Sequence, residues 1–167
     1  MTKSIGRVVA GTILFFSGSA LFSQSFQAGI GADFFRYEKT FLDLRAAFLQ
    51  PLKPDVELSL GGSFAILTEE NDGNVEADFF IPLDGGVVFL FPVNKTFSYQ
   101  FGLGVSAQFL VSSENRFYMG PYLGAGARVR VHPYMVWFLE GRQDLVIGKP
   151  DWINTSSRIS SGIIFSF

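Results

Sequence analysis

Between Gln24 and Phe167, apolar residues fall on alternate positions, and the charged residues within those runs fall on the other set. A period of two belongs to a β-strand, whose successive side chains point to opposite faces, and no helix carries it. Residues 96–111 are the plainest case. Phe97, Tyr99, Phe101, Leu103, Val105, Ala107 and Phe109 share one face, and Ser98, Gln100, Gly102, Gly104, Ser106 and Gln108 share the other. The last run, 156–167, sets Ile159, Ser161, Ile163, Phe165 and Phe167 against Arg158, Ser160, Gly162, Ile164 and Ser166.

Eight such segments can be marked, at 24–35, 40–50, 55–67, 75–91, 96–111, 118–131, 135–146 and 156–167. Pro51–Pro54, the loop E-E-N-D-G-N at 69–74, 92–95, S-S-E-N-R at 112–116, His132-Pro133 and 148–155 separate most of them, because proline cannot continue a ladder and Gly, Asn and Asp favour turns. The fourth segment contains Pro82 and an Asp84-Gly85-Gly86 sequence that could be a turn. Its parity survives throughout, so one long strand with a bulge near Pro82 is expected; a strand starting afresh at Gly86 is the alternative.

The phase of the charges decides which environment the faces meet. In each expected strand, Asp, Glu and Arg take the set opposite to the outward aromatics, leaving an apolar belt without an ionised group. Lipid requires such a belt, whereas a soluble sandwich or lipocalin would turn its apolar set inward and tolerate Lys and Glu outside. Hydrophobic residues make up 48% of the chain and mean hydropathy is +0.29, yet beyond the N-terminus there is no uncharged apolar run long enough for a spanning helix. A closed barrel is the other structure that pairs every backbone group within a bilayer. The expected fold is therefore all-β, an eight-stranded antiparallel up-and-down transmembrane β-barrel over 24–167. Residues 1–23 have the three-part layout of a cleaved secretory signal peptide, with Lys3 and Arg7, an apolar run at 8–16 and a small polar stretch. Cleavage after Ser23 is preferred to cleavage after Ala20. Without cysteine there is no disulfide, thiolate metal site or cysteine-linked lipid, and a net charge of −2 leaves no nucleic-acid footprint.

A barrel of eight strands is too narrow for a wide channel and is filled by its own side chains. The inward set supplies an ion-pair column: Asp33, Asp43, Arg45, Glu57, Asp78, Arg128, Arg130, Glu140, Arg142, Asp144 and Arg158, with Glu76 on the same parity. Every cation in it is Arg, which suits bidentate pairing with carboxylates in a confined space. Height along each strand pairs Arg128 and Arg130 with Glu57, Arg142 with Glu140, and Arg158 with Asp33, Asp43 or Asp144. The column is either an internal salt-bridge core, the expected case at this size, or a gate. Tyr37, Phe41 and Phe117 at the loop end, and Phe91, Phe97, Tyr99, Tyr134, Trp137, Phe165 and Phe167 at the turn end, are expected to form interfacial girdles. Trp152 lies in the last loop.

The chain holds one histidine, His132, beside Pro133 in an expected turn and with no serine one or two residues away. A hydrolase needs a base and a nucleophile together, so His132 reads as an interfacial turn residue. Glu114, Glu69 and Asp72 could serve only a carboxylate-only hydrolase, and nothing in their spacing recommends one. No catalytic residue, metal ligand or cofactor is expected.

With Phe167 preceded at alternate positions by Phe165, Ile163 and Ile159, the chain resembles the small eight-stranded outer-membrane barrels of Gram-negative-type bacteria, such as the OmpA transmembrane domain, OmpX and OmpW, over 24–167. The resemblance implies export through the periplasm to the bacterial outer membrane, and outer-membrane lipid, periplasmic chaperones and the barrel assembly machinery as partners. The machinery would read Ile159, Ile163, Phe165 and Phe167 on the last strand. It also implies a monomer. Unlike full-length OmpA, the chain is expected to carry no peptidoglycan-binding domain, and its loops are shorter than those of OmpX or OmpW. A non-enzymatic envelope or surface protein is the expected function; the alternative is a narrow gated channel or small-molecule transporter.

Overall fold

The computed structural model describes residues 24–71, 74–112, 115–149 and 152–167, with side chains at 69–71 and 74–76 left aside. The expected leader over 1–23 lies outside the described residues. Eight strands follow in chain order: β1 Ser25–Phe35, β2 Lys39–Lys53, β3 Val56–Asn71, β4 Asn74–Pro92, β5 Phe97–Val111, β6 Arg116–His132, β7 Met135–Ile147 and β8 Ile153–Ser166. Each pairs antiparallel with its sequence neighbour, and β8 closes on β1 from Ser25↔Ser166 to Phe35↔Ser156. The closed sheet leaves no edge with unpaired backbone groups.

Several strands run further than the alternation suggests. β3 continues to Asn71 and β4 starts at Asn74, so most of the expected 69–74 loop is ladder. β2 passes through Pro51 to Lys53 by means of a register shift, which moves the turn to Pro54-Asp55. A second shift lies between Arg130 and His132. Both sit at the rim, where bulges re-aim a strand into its turn. The expected bulge near Pro82 is absent. Pro82 pairs with Gln108 in unbroken register, and the β3–β4 ladder keeps one register from Gly62↔Leu83 to Ala65↔Phe80 across the proline. The missing N–H removes a ladder bond without adding a residue, so the strand stays in phase.

The turn between β4 and β5 is held by Asn94, whose Oδ1 accepts from the Thr96 and Phe97 amides at 2.8 Å each. At the other end, Arg36 and Tyr37 join β1 to β2 with φ of 55° and 58°, conformations that cost a non-glycine residue about 1–2 kcal/mol each. Tertiary contacts hold them there. The Arg36 amide donates to the Thr155 carbonyl at 2.9 Å, and the Tyr37 hydroxyl lies 2.8 Å from Ser157 Oγ and donates to Gln143 Oε1 at 3.1 Å.

Ile30, Leu42, Val105, Leu123 and Ile159 stand exposed on the outside of the barrel. Exposed charges among the described residues, such as Glu38, Lys53, Asp55, Lys95, Arg130 and Lys149, sit at strand ends or connections. The inward sets build three levels. At the loop end Phe35, Phe41, Ala65, Phe80, Leu110, Tyr118 and Val146 form an apolar plug, and near the turn end Leu49, Phe138 and Ile164 form a smaller one. Polar and charged residues fill the space between. Phe41 therefore corrects the expected girdle. The parity that turns Asp43 and Arg45 inward turns Phe41 inward as well, and it is fully buried.

Candidate functional site

The bore of the barrel is where the chemically demanding residues meet, and it can be followed from the turn end upward. Arg128 lies 2.8 Å from Glu57 and donates through Nε to Gln100 Oε1 at 2.5 Å. Gln100 passes the chain on by donating to Glu140 Oε2 at 2.7 Å, and Glu140 stands 3.9 Å from Arg45. Arg45 then reaches Asp84 at 3.2 Å. Asp84 is the hub of the column, because Arg142 approaches it at 3.0 Å and Arg158 at 3.9 Å.

Two branches rise from this hub toward the plug. Arg142 grips Asp144 with a two-pronged contact, Nε to Oδ2 at 2.9 Å and Nη2 to Oδ1 at 2.6 Å, and Gln108 donates to the same carboxylate at 3.1 Å. Arg158 donates to Asp33 Oδ2 from Nε at 3.0 Å and from Nη2 at 2.9 Å, while Ser156 donates to Asp33 Oδ1 at 2.5 Å. Asp43 stands 3.4 Å from Arg158. These groups are almost wholly withdrawn from water, so each guanidinium depends on its carboxylates for the solvation it has lost.

Tyr122 locks Arg142 from the side, with the guanidinium carbon 3.6 Å from the ring centroid. The ring fits because β4 and β5 present Gly86 and Gly104 beside it; a Cβ at Gly104 would press on the Gly85 carbonyl, the Gly86 Cα and the Tyr122 ring. Those glycines make close approach possible where any side chain would fill the bore.

The bore departs from the partners and places expected of it at four points. Arg142 pairs with Asp84 and Asp144, not with Glu140, which faces Arg45 and Gln100. Arg130 does not join Arg128 on Glu57; it is exposed at the turn-end mouth. Asp78 lies near the loop end and pairs with a lysine, Lys39, at 2.5 Å, so the inward cations are not all Arg. Lys39 is accommodated because its side chain is 38% exposed and keeps part of its hydration. Asp84, the hub, lies on the inward face that the alternation gives it with Asp78, but the expected column leaves it out. The uncharged links Gln100, Gln108 and Tyr122 carry no distinguishing sequence mark.

His132 is exposed in its turn, where Nδ1 accepts from the Tyr134 amide at 3.4 Å. Trp152 is exposed. Asp72 and Glu114, and the side chains of Glu69 and Glu76, lie outside the described residues.

Above this column Phe35, Phe41, Phe80 and Tyr118 meet ring to ring, Phe80 lying 5.2 Å from Phe35 and 5.5 Å from Phe41, and Tyr118 5.2 Å from Phe35. The loop-end mouth holds a cavity of about 230 Å³ bordered by Arg36, Glu38, Lys39 and Arg116, and at the turn end the bore widens into one of about 300 Å³ bordered by Arg128, Arg130, Lys95 and Glu57.

No protein-family description matches the sequence, and no curated protein is similar to it. Solved structures do share the fold. Neisserial surface protein A is 12% identical with a TM-score of 0.67, over 87% of this chain and 97% of that one. The N-terminal β-barrel domain of Pseudomonas aeruginosa OprF is 12% identical with a TM-score of 0.58, over 87% and 97%. Ail, the attachment invasion locus protein of Yersinia pestis, is 15% identical with a TM-score of 0.56, over the same shares. The fold is that of the small eight-stranded outer-membrane barrels.

Proposed function

We propose that this protein is a non-enzymatic, non-conducting barrel of the bacterial outer membrane that serves at the envelope surface, with its loop end outward and its turns and termini toward the periplasm. The observation that carries this is the double filling of the bore. The aromatic plug of Phe35, Phe41, Phe80 and Tyr118 occupies the loop end with at most 3% exposure, and the ion-paired column occupies the middle. Among the described residues, a lipid-facing belt without charge and short turns at the end where β1 begins and β8 finishes support the placement and orientation. Two of the proteins with this fold bear names of a surface protein and an attachment protein, which agrees with a surface role.

A narrow gated channel is the second reading, favoured by the unbroken run of contacts from Glu57 to Asp33. Conductance of the refolded protein in planar bilayers separates the two. The native protein is expected to be silent, and so is Glu140→Ala, because the plug still closes the loop end. Phe41→Ala with Phe80→Ala is also expected to be silent, because the column remains. Steps should appear only when the three substitutions are combined. Steady conductance of the native protein, or its appearance in Glu140→Ala alone, would favour the gate.

Assembly partners belong to the same proposal. Phe167 is exposed beyond the end of β8 and its amide donates to the Gln24 carbonyl at 3.0 Å, while Ile159 and Phe165 face outward. The assembly machinery is proposed to engage this strand. Deleting Phe167 is expected to lower the amount reaching the outer membrane several-fold, while the refolded variant keeps its heat resistance in SDS, because one backbone bond at the rim contributes only about 0.5–1.5 kcal/mol. Normal membrane levels of the deletion variant would refute the assembly role.

A further inference from the structure

The turn end of the bore holds a cavity of about 300 Å³, at the lower bound of the range for small-molecule sites, and a smaller one of about 230 Å³ sits beside the apolar rings at the loop end, where Arg36, Lys39 and Arg116 all have interaction partners. The floor of the turn-end cavity is the Arg128–Glu57 pair, in which Arg128 is buried and already neutralised at 2.8 Å. Two further cations border this cavity, Arg130 on β6 and Lys95 in the β4–β5 turn, and among the described residues neither side chain has a hydrogen bond or ion pair. Asp55 is the other acid on the wall and is exposed at the rim. Setting aside the Arg128–Glu57 pair leaves two cations against one carboxylate. The remaining wall is mixed: Leu90, Phe97, Val136 and Ile164 supply an apolar patch, and Ser25, Asn94, Thr96, Ser98 and Ser166 supply polar groups.

We propose that this cavity is a binding site, open to the turn end of the barrel, for a small soluble anion carried on an apolar body, such as an aromatic or aliphatic carboxylate. Arg130 and Lys95 hold the anionic group, since a guanidinium fork and an ammonium both form charge-assisted hydrogen bonds to carboxylate oxygens. The apolar body lies against Phe97 and Val136, where burial contributes about 25 cal/mol per Å². Arg128 and Glu57 close the floor, so the ligand stops at the column. A site on the rim of a blind bore binds without transport, which is compatible with a sealed barrel.

Benzoate is the probe, titrated into the ¹⁵N-labelled refolded protein in zwitterionic micelles, with the amides of Ser98, Arg130 and Ser166 followed by NMR. Saturable shifts are expected at these amides and absent at Val146 and Leu110 near the plug. Lys95→Gln with Arg130→Gln should weaken binding by about tenfold or more, the factor expected for loss of a charge-assisted hydrogen bond. Benzyl alcohol, the uncharged counterpart, should give no saturable shift. Three outcomes would overturn the site: shifts that do not saturate, an unchanged affinity in the double variant, or equal binding of benzyl alcohol. An anionic phospholipid added to the micelles serves as a separate arm. If it moves these amides and benzoate does not, the mouth contacts lipid headgroups and holds no soluble ligand. Neither result bears on the seal, which conductance decides.

Discussion

Asp84→Ala is expected to destabilise the barrel by about 3–5 kcal/mol, the usual result of removing one member of a buried ion-pair network. Three guanidiniums converge on this carboxylate, from Arg45 at 3.2 Å, Arg142 at 3.0 Å and Arg158 at 3.9 Å. Arg142 and Arg158 would retain Asp144 and Asp33, but Arg45 would be left with Glu140 at 3.9 Å. Most of the penalty thus falls on a buried cation with one distant partner. Asp78→Asn removes another inward carboxylate, but its partner Lys39 is 38% exposed, so the loss should stay within about 1 kcal/mol. Denaturant midpoints in lipid vesicles, and the temperature at which each variant loses its folded mobility in SDS, measure the difference. Equal midpoints for the two variants would mean that the network around Asp84 is no more than a set of independent pairs.

Val105→Lys is the second large effect, at about 2–4 kcal/mol for a charge near the bilayer midplane. Val105 lies near the middle of β5, is 63% exposed on the outer face, and pairs with Gly85 and Pro121 on its neighbours. Among the described residues, no carboxylate stands on that face beside it to meet an ammonium. Val105→Leu keeps the apolar belt and should change stability little. Unfolding in lipid vesicles compares them, and equal tolerance of Lys and Leu would show that the outer face does not meet hydrocarbon.

Phe41 and Asp84 show how far the alternation could be followed. The phase that turned Asp43 and Arg45 inward applied equally to Phe41, yet an aromatic near a strand end also fits an interfacial girdle, and composition could not choose between them. Asp84 kept the inward phase of Asp78, but the glycines after it imitate a turn. Closure of the barrel resolved the ambiguity, since a continuous β4 has ladder partners on both sides at Gly85 and Gly86. Pro82 is instructive in the opposite direction. The expected irregularity was a bulge, and the paired strands absorbed the lost hydrogen bond without one.

Arg142 marks the limit. Glu140 is its neighbour two residues away on the same strand face, and height along β7 makes it the natural partner. In the folded barrel Arg142 crosses to Asp84 on β4 and Glu140 reaches Arg45 on β2. Alternation alone determined the strands, their number, the two faces and the membrane as the surrounding medium, because a period of two and the cost of a charge in lipid act locally on each segment. Height along the strands paired Arg128 with Glu57 and Arg158 with Asp33 or Asp43, contacts the barrel contains. The partners of Arg142 and Arg45, and which rings close the bore, were decided only by the tertiary structure. Closing the sheet staggers the strands and brings opposite walls within reach of one side chain, and those distances belong to the cylinder rather than to any one strand.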